Sequence, residues 1–512
     1  MRLPLGIFVL FCTVLAMLGQ LLSRDGHTVV FPTVSWVFTS LPAWQPWLGA
    51  VLTLAFGALG VWLVSSRQFQ VTPMTARKLK RFGEIGRGVW SFRILMVLVA
   101  LACLDQALVG RRALAVKHEG QWYFPAFRKE IYPASTFGLP GEAETDYRKL
   151  AELVREKNDG RVVVLPLIPW DPVSDTDPGV AIDLQEREGK LLYPDGQPFS
   201  GLAQKFTPGE NGKRVWQARF REGVKHLTEE AFAPDGKIVY SAKWEMGRKI
   251  EEKREEGADA VFSTETGPWQ EMDYPPIAPN FARRHYLGTD GKGWDVAAQL
   301  FGGFQVILKA AALYLLVTYV IGTSLGLLMG FWGGVFDLIM QRLIEILSSI
   351  PFLYLVIILV SIMEKENITL PLIIGVFCLF SWIGCSYYMR SATYREKARD
   401  YVAAARVMGA GPGRIIFKHI LPNTIALLVT LIPFSITGIS SALTSLDFIG
   451  FGLPEKYASW GRLLGDGVEN LRTAPWIVSS VFVMIVFVLL LVTFVGEALR
   501  EAFDPKKFTT YR

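Results

Sequence analysis

Cysteine is scarce in this chain. Cys12, Cys103, Cys378 and Cys385 are the four present in 512 residues, and each lies in an apolar stretch. That distribution excludes a disulfide framework or a zinc site of closely spaced ligands and leaves them as small packing residues. The five histidines are scattered, and no Ser/His/Asp or paired-carboxylate constellation can be assembled around them. No Gly-x-x-x-x-Gly-Lys-Ser/Thr phosphate loop occurs either; Gly209-Glu210-Asn211-Gly212-Lys213-Arg214 has the wrong spacing and the wrong final residue. Excess charge of one sign is missing too, since 53 basic against 47 acidic residues leaves only +6, too little to indicate a nucleic-acid partner. What is abundant is apolar: 51% hydrophobic residues with 12% aromatics and a mean hydropathy of +0.30. Those values exclude intrinsic disorder and an ordinary soluble enzyme. Lipid is part of this chain's solvent.

A hydrocarbon core about 30 Å thick calls for roughly 20 apolar residues in a helix. Eight runs meet or approach that length: residues 3–22, 47–64, 90–109, 304–330, 339–363, 370–389, 424–446 and 475–499. The first, behind Arg2, reads as an uncleaved helix, because a signal peptide would need a small-x-small cleavage site that 15–19 does not offer. Orientation follows from the basic residues of short loops. Residues 66–89 carry six basic residues against Glu84, net +5, and residues 390–422 carry seven against Glu396 and Asp400, again net +5. Both loops are expected in the cytoplasm with the two termini, which sends 110–303 and 447–474 to the opposite side. Asp105 and Lys309 are expected to anchor helix ends at the interface. Asp447 is expected to cap or pair at a helix end, and the polar turn at 364–367 to be solvated. Gly322, Gly326, Gly330 and Gly334, four residues apart, favour close helix packing.

The polar segment 110–303 is long enough to be a domain. Inside it Asn211-Gly212-Lys213-Arg214-Val215-Trp216-Gln217-Ala218-Arg219-Phe220 returns 24 positions later, without a gap, as Asp235-Gly236-Lys237-Ile238-Val239-Tyr240-Ser241-Ala242-Lys243-Trp244, and Gly223 then matches Gly247. Asn-Gly and Asp-Gly suit hairpin turns, and alternation along 215–220 gives one apolar face. The stretch reads as a β-meander over about 193–249, beginning at Tyr193-Pro194-Asp195-Gly196, and resembles the hairpin repeats of MORN-like and YwqK-type modules. Scaffold hairpins and a ligand-contacting surface both fit this pattern.

From His285 onward a more specific likeness emerges. The blocks are His285-Tyr286-Leu287-Gly288-Thr289-Asp290-Gly291-Lys292-Gly293-Trp294-Asp295-Val296; Gly330-Phe331-Trp332-Gly333-Gly334 with Asp337 and Ser349-Ile350-Pro351; Asp400-Tyr401-Val402-Ala403-Ala404-Ala405-Arg406-Val407-Met408-Gly409 with His419-Ile420-Leu421-Pro422-Asn423; Thr444 to Pro454; Ala474-Pro475-Trp476; and Gly496 to Pro505. The sequence resembles the C-type permease subunit of dipeptide and oligopeptide ABC importers, a binding-protein-dependent transport inner-membrane component, nearest the microcin C (YejE-like) branch. Arg81-Phe82-Gly83 and Gly120-Gln121-Trp122-Tyr123-Phe124-Pro125 resemble the same branch. Two positions depart from the pattern: Ala403 stands where the family often has glutamate, and Gln305 where relatives commonly have arginine.

The resemblance implies an α-helical integral membrane protein of the bacterial inner membrane with a six-helix permease core. Two extra N-terminal helices (1–65) and a basic cytoplasmic linker (66–89) come before the first core helix (90–109). A periplasmic insertion (110–303) with a β-meander interrupts the core (304–499), and a cytoplasmic tail (500–512) follows. It implies a peptide permease rather than an enzyme, with no cofactor in this chain and with ATP and Mg used by separate ATPase subunits. The implied partners are a second, B-type permease, ABC ATPase subunits, a periplasmic solute-binding protein, a peptide substrate and membrane lipid, without nucleic acid.

It also marks Asp400, Ala403, Ala404, Ala405, Arg406, Gly409, Leu421 and Pro422, within the loop 390–422, as the ATPase-coupling element. The residues themselves suit such a task. Three alanines favour helix and add no bulk, Gly409 permits a sharp exit, and Gly411-Pro412-Gly413 stops the helix. Arg406, Arg414 and Lys418 are available to acidic groups on a partner. A loop that merely fixes topology competes for the basic residues. Two other readings of the whole chain remain, a membrane-anchored sensor acting through its hairpin domain and a secondary transporter. The former would want a cytoplasmic output domain, for which 66–89 and 506–512 are too short.

Overall fold

The computed structural model describes residues 73–503, apart from short stretches at 105–106, 128–130, 158–159, 178–179, 195, 209–212, 256–257, 274 and 282. The first two apolar runs, Asp105 and residues 504–512 of the C-terminal tail lie outside the described residues. The chain forms two compact units, one comprising 176–277 with 291–293 and the other the remainder.

The larger unit is helical. Its helices are α1 (Pro73–Glu84), α2 (Gly86–Cys103), α3 (Tyr147–Lys157), α5 (Val296–Trp332), α6 (Gly334–Ser348), α7 (Phe352–Ile362), α8 (Leu370–Lys397), α9 (Asp400–Val407), α10 (Pro412–Phe448), α11 (Trp460–Glu469) and α12 (Pro475–Phe503); α4 (Ala258–Phe262) belongs to the smaller unit. Among the described residues α2, α5, α8, α10 and α12 are long and apolar enough to cross a membrane. The run expected as one helix over 339–363 is instead two, α6 and α7, bent by 64°. Ser349-Ile350-Pro351 is the break: Pro351 is extended at φ −68°, ψ 107°, and a proline disfavours helical backbone in the residue before it. Apolar side chains such as Leu316, Val335, Ile362 and Val483 are more than 60% exposed, as lipid-facing residues of a multi-pass protein must be.

Close packing of α5 on α8 follows from small residues. A Cβ placed on Gly322 would lie 2.6 Å from the Cβ of Cys385, one on Gly326 2.5 Å from the carbonyl oxygen of Ser386, and one on Gly330 2.6 Å from the Cβ of Thr393. Backbones approach because nothing stands between them. Gly334 is not part of this stripe. With Gly333 it takes a positive φ, 66° and 57°, and turns the chain from α5 into α6. One core cluster joins α5, α7, α8 and α10 through Ala310, Val356, Ile373, Phe377 and Leu443. A second joins α2, α5, α11 and α12 through Ala102, Leu300, Leu463 and Val488. Outside the spans, a small sheet with order β2-β1-β3 (Gln121–Tyr123, Ala115–His118, Val162–Val164) packs with α3 around Phe137, Tyr147 and Leu150.

The smaller unit contains a seven-stranded antiparallel sheet in the order β11-β10-β9-β8-β7-β12-β4. Its strands are β4 (Val180–Asp183), β7 (Gly201–Phe206), β8 (Arg214–Arg221), β9 (Val224–Phe232), β10 (Ile238–Glu245), β11 (Arg248–Arg254) and β12 (Gln270–Asp273). A separate hairpin pairs β5 (Gln185–Arg187) with β6 (Lys190–Leu192). The meander β7–β11 explains the 24-residue repeat as two strands and two turns. Its two-residue turns are Glu222-Gly223 (φ 51° and 81°) and Met246-Gly247 (φ 44° and 83°), the left-handed pair that matches strand twist. Asp235-Gly236 lies instead in the longer loop between β9 and β10, where Gly236 alone has φ above zero. The meander starts at Gly201, not at Tyr193: the amide of Tyr193 donates to the carbonyl of Gln197, closing a turn before the sheet.

Candidate functional site

The short helix α9 sits between two candidate spans, and its ends are set locally. Arg399 is extended (φ −85°, ψ 150°) and stops α8 from running on. Asp400 then places a negative charge in the first turn, where the helix dipole favours it. At the other end Gly409 takes φ 79°. Its amide donates to the carbonyl of Arg406 at 2.9 Å, and that of Ala410 to Ala405 at 2.9 Å. This is the Schellman pattern, which satisfies the last carbonyls and reverses the chain.

α9 has one seated and one bare face. Val402 and Ala405 are 0% and 1% exposed, buried in a cluster with Phe331, Met389, Ile415, Ile416 and Ile420, against which Leu421 also packs. Asp400, Ala403, Ala404 and Arg406 are exposed, and Val407 and Met408 are 89% and 79% exposed. The alanines therefore divide: Ala405 packs inside this chain, and Ala403 and Ala404 face out. Arg406 lies over the Phe331 ring, 5.7 Å from its centre.

Polar bonds clamp the same element to its neighbours. The Tyr401 hydroxyl donates to Glu396 Oε2 at 2.7 Å and accepts from Asn423 Nδ2 at 3.2 Å, tying α8, α9 and α10 at one atom. Burial, with the Glu396 carboxylate accepting the hydroxyl's hydrogen bond, pushes the Tyr401 phenol above its usual range. Pro422 has no amide to give the carbonyl of Lys418, and residues 415–420 form a π-helical turn just before it, as such bulges do where the ordinary ladder is interrupted. Asn423 also donates to the His419 carbonyl at 2.8 Å. The Lys397 ammonium reaches the carbonyl of Phe331 at the end of α5.

About two turns back along α8, Arg390 grips Asp337 of α6 with both prongs, Nε to Oδ1 and Nη2 to Oδ2, each 2.6 Å. Tyr394 and Gln341 add donors at 3.0 and 2.9 Å. Arg390, one of the basic residues of the 390–422 stretch, is thus a helix-to-helix clamp. Sequence reasoning missed this partner and the Tyr401 hub; Asp337 in an otherwise apolar stretch was the available signal for the first, and Tyr401, among charged residues, gave none. Gln305, at the other departing position, donates to the Ala102 carbonyl at 2.9 Å and ties α5 to α2. Asp447 accepts from the Leu453 amide at 2.6 Å and from the Ser459 hydroxyl at 2.5 Å, the expected pairing role at a helix end.

α9 is held on one side by packed side chains and hydrogen bonds from three long helices and offers a small apolar and cationic face on the other.

Comparison with known proteins identifies the family. Residues 322–509 match the family model described as binding-protein-dependent transport system inner membrane component. The chain is 28% identical over 438 residues to the inner membrane ABC transporter permease protein YejE of Escherichia coli, covering 86% of this chain and 99% of that one. It is 39% identical over 223 residues to the peptidoglycan transport system permease protein YejE of Agrobacterium fabrum, covering 44% and 58%. With the oligopeptide transport system permease protein OppC of Haemophilus influenzae it shares 32% identity over 245 residues, 48% of this chain and 77% of that one. A solved structure of the MetNI methionine ABC transporter in an inward-facing conformation aligns at 19% identity and a TM-score of 0.32, covering 40% of this chain and 96% of that one. The chain belongs to the family of binding-protein-dependent transport system inner membrane components and is a permease component of an ABC importer, not an enzyme.

Proposed function

We propose that this permease is driven by ATP through α9 and carries peptides or peptide-like compounds inward. The observation that supports the first part is the two-faced seating of α9. A motor that hydrolyses ATP elsewhere must move helices as a rigid body, and an element clamped to α5, α8 and α10 at one end and bare at the other is suited to receive the push. Val407, Met408 and the exposed Ala403–Ala404 pair form the contact with an ATPase subunit, with Arg406 at its rim. ATP and Mg are used by that partner, a reading supported by the lack of a phosphate-loop motif in the sequence given. α9 and the basic linker 66–89 then lie in the cytoplasm with both termini, and the hairpin-bearing segment lies outside. A second permease completes the pathway, and a solute-binding protein delivers the substrate. Peptide-type cargo is supported by the oligopeptide system of one relative and the peptidoglycan system of another.

The test is a crosslink. Ala404→Cys and Met408→Cys in the assembled complex should crosslink to a nucleotide-hydrolysing subunit, and the purified chain alone should show no ATPase activity. Crosslinks that reach only the exterior, or turnover by the isolated chain, would overturn the proposal.

A further inference from the structure

The smaller unit contains a cavity that the transport reading does not use. One face of the β7–β11 meander, together with the β5–β6 hairpin, Phe262 of α4 and Trp269, lines a cavity of about 730 Å³ that is open on one side, the size of a small-molecule site. Trp216, Tyr240 and Trp244 line it, and Lys205, Lys225 and Lys249 bring ammonium groups among the rings. The Nζ of Lys205 lies 4.9 Å from the Trp269 ring centre and that of Lys225 5.0 Å from the Trp244 ring centre.

The space follows from the register. Glu229 of β9 pairs across the sheet with Ala218 on one side and Ala242 on the other, so no bulky side chain fills its row. Glu229 itself is only 4% exposed. It accepts the Lys225 ammonium and, at 2.8 Å, the Trp244 indole N–H. A buried carboxylate with two such donors holds both side chains in fixed positions. Lys249 is engaged by Glu252 at 2.9 Å. Lys205 is different: among the described residues it contacts the Trp269 ring and makes no ion pair. Its cross-strand partner is Trp216. A cation without a counter-ion therefore stands beside an indole, in a cavity where three ammonium groups face Glu229 and Glu186.

We propose that this cavity binds a small organic carboxylate, its charge against Lys205 and a flat apolar ring face stacked on Trp216. An acidic sugar ring and a short peptide with an aromatic C-terminal residue both present that chemistry, an anion close to a ring face. Uncharged sugars and amidated peptides do not.

The test is calorimetric titration of the full-length chain in nanodiscs with glucuronate and with glycyl-phenylalanine, each against its counterpart without a carboxylate, glucose and glycyl-phenylalaninamide. At least one carboxylate should bind tenfold or more tightly than its counterpart, and which one does so identifies the source. Lys205→Gln, which keeps most of the side chain's aliphatic stem and removes its charge, should abolish that preference, and Trp216→Leu should weaken binding of the same probe at least tenfold. Binding that persists unchanged in Lys205→Gln belongs to another part of the chain and overturns the proposal, as does no binding by either carboxylate. If Trp216→Leu fails to fold, Lys205→Gln alone decides. No transport is measured, so failure here leaves the ATP-driven reading standing, and failure of that reading leaves this one.

Discussion

At the scale of single residues, the Asp337–Arg390 clamp makes the sharpest claim. The Asp337 side chain is 7% exposed and that of Arg390 26%, so removing the guanidinium strands a nearly buried carboxylate. Loss of one partner from a buried pair costs about 3–5 kcal/mol, and the partial exposure of Arg390 places Arg390→Met toward the lower end. The midpoint of thermal unfolding should fall clearly in Arg390→Met and recover most of the loss in the double variant Asp337→Leu/Arg390→Met, which leaves no orphaned charge. A double variant as unstable as the single one would show that the pair itself, and not the stranded charge, carries the effect. The clamp also shows what one-dimensional reading misses. Arg390 looks like one more cytoplasmic loop charge because α8 continues to Lys397, eight residues past the apolar run, and its partner stands 53 positions earlier.

Among helices, spacing decides. Gly326 meets a backbone carbonyl and the Cβ of Met389 at 2.5 and 2.6 Å, neither of which can swing away, so Gly326→Leu should drive α5 and α8 apart and leave the chain aggregated on size-exclusion chromatography. Gly375, on α8, has nothing within 4 Å of an added Cβ. Gly375→Ala should be neutral or stabilising, by up to about 1 kcal/mol from helix propensity. The two faces of α9 separate in the same way. Ala405→Leu overfills its cluster and should lower the unfolding midpoint. Met408→Asp, at a position 79% exposed, should leave that midpoint unchanged and reduce ATPase copurification severalfold. Equal effects of the two on stability would remove the distinction between seated and bare faces. Apolar runs made α2, α5, α8, α10 and α12 legible, because a span must be long and apolar wherever it packs. The bend at Pro351 was not: a hydropathy average over 339–363 passes over Gln341, Arg342 and Glu345, and the backbone geometry of a proline leaves no trace in it. The hairpin repeat was legible as turns and alternation, but its tightest turns use Glu222 and Met246 at positive φ, residues that carry no turn signal by themselves.

For the whole molecule, the meander unit is built as an insertion. Val180 at the start of β4 pairs with Asp273 at the end of β12, so the chain leaves and returns at cross-strand neighbours, about 5 Å apart. Its apolar clusters, around Leu191, Phe199 and Trp269 and around Val215, Tyr240 and Val261, lie entirely within it. A unit with its own core and adjacent ends adds little strain to its host, because a short linker can close the gap with a small entropic cost. Replacing residues 180–273 with a flexible linker of a few residues should therefore leave membrane insertion and copurification with an ATPase intact and abolish carboxylate binding. If the shortened chain instead fails to accumulate in the membrane, the insertion is a structural support of the permease. Retained carboxylate affinity would place the ligand among the helices. Nothing in the apolar runs announces this division of labour: transport depends on long-range helix packing that sequence shows only as hydropathy, whereas the insertion advertises its turns but hides, in register, the row of alanines that opens its cavity.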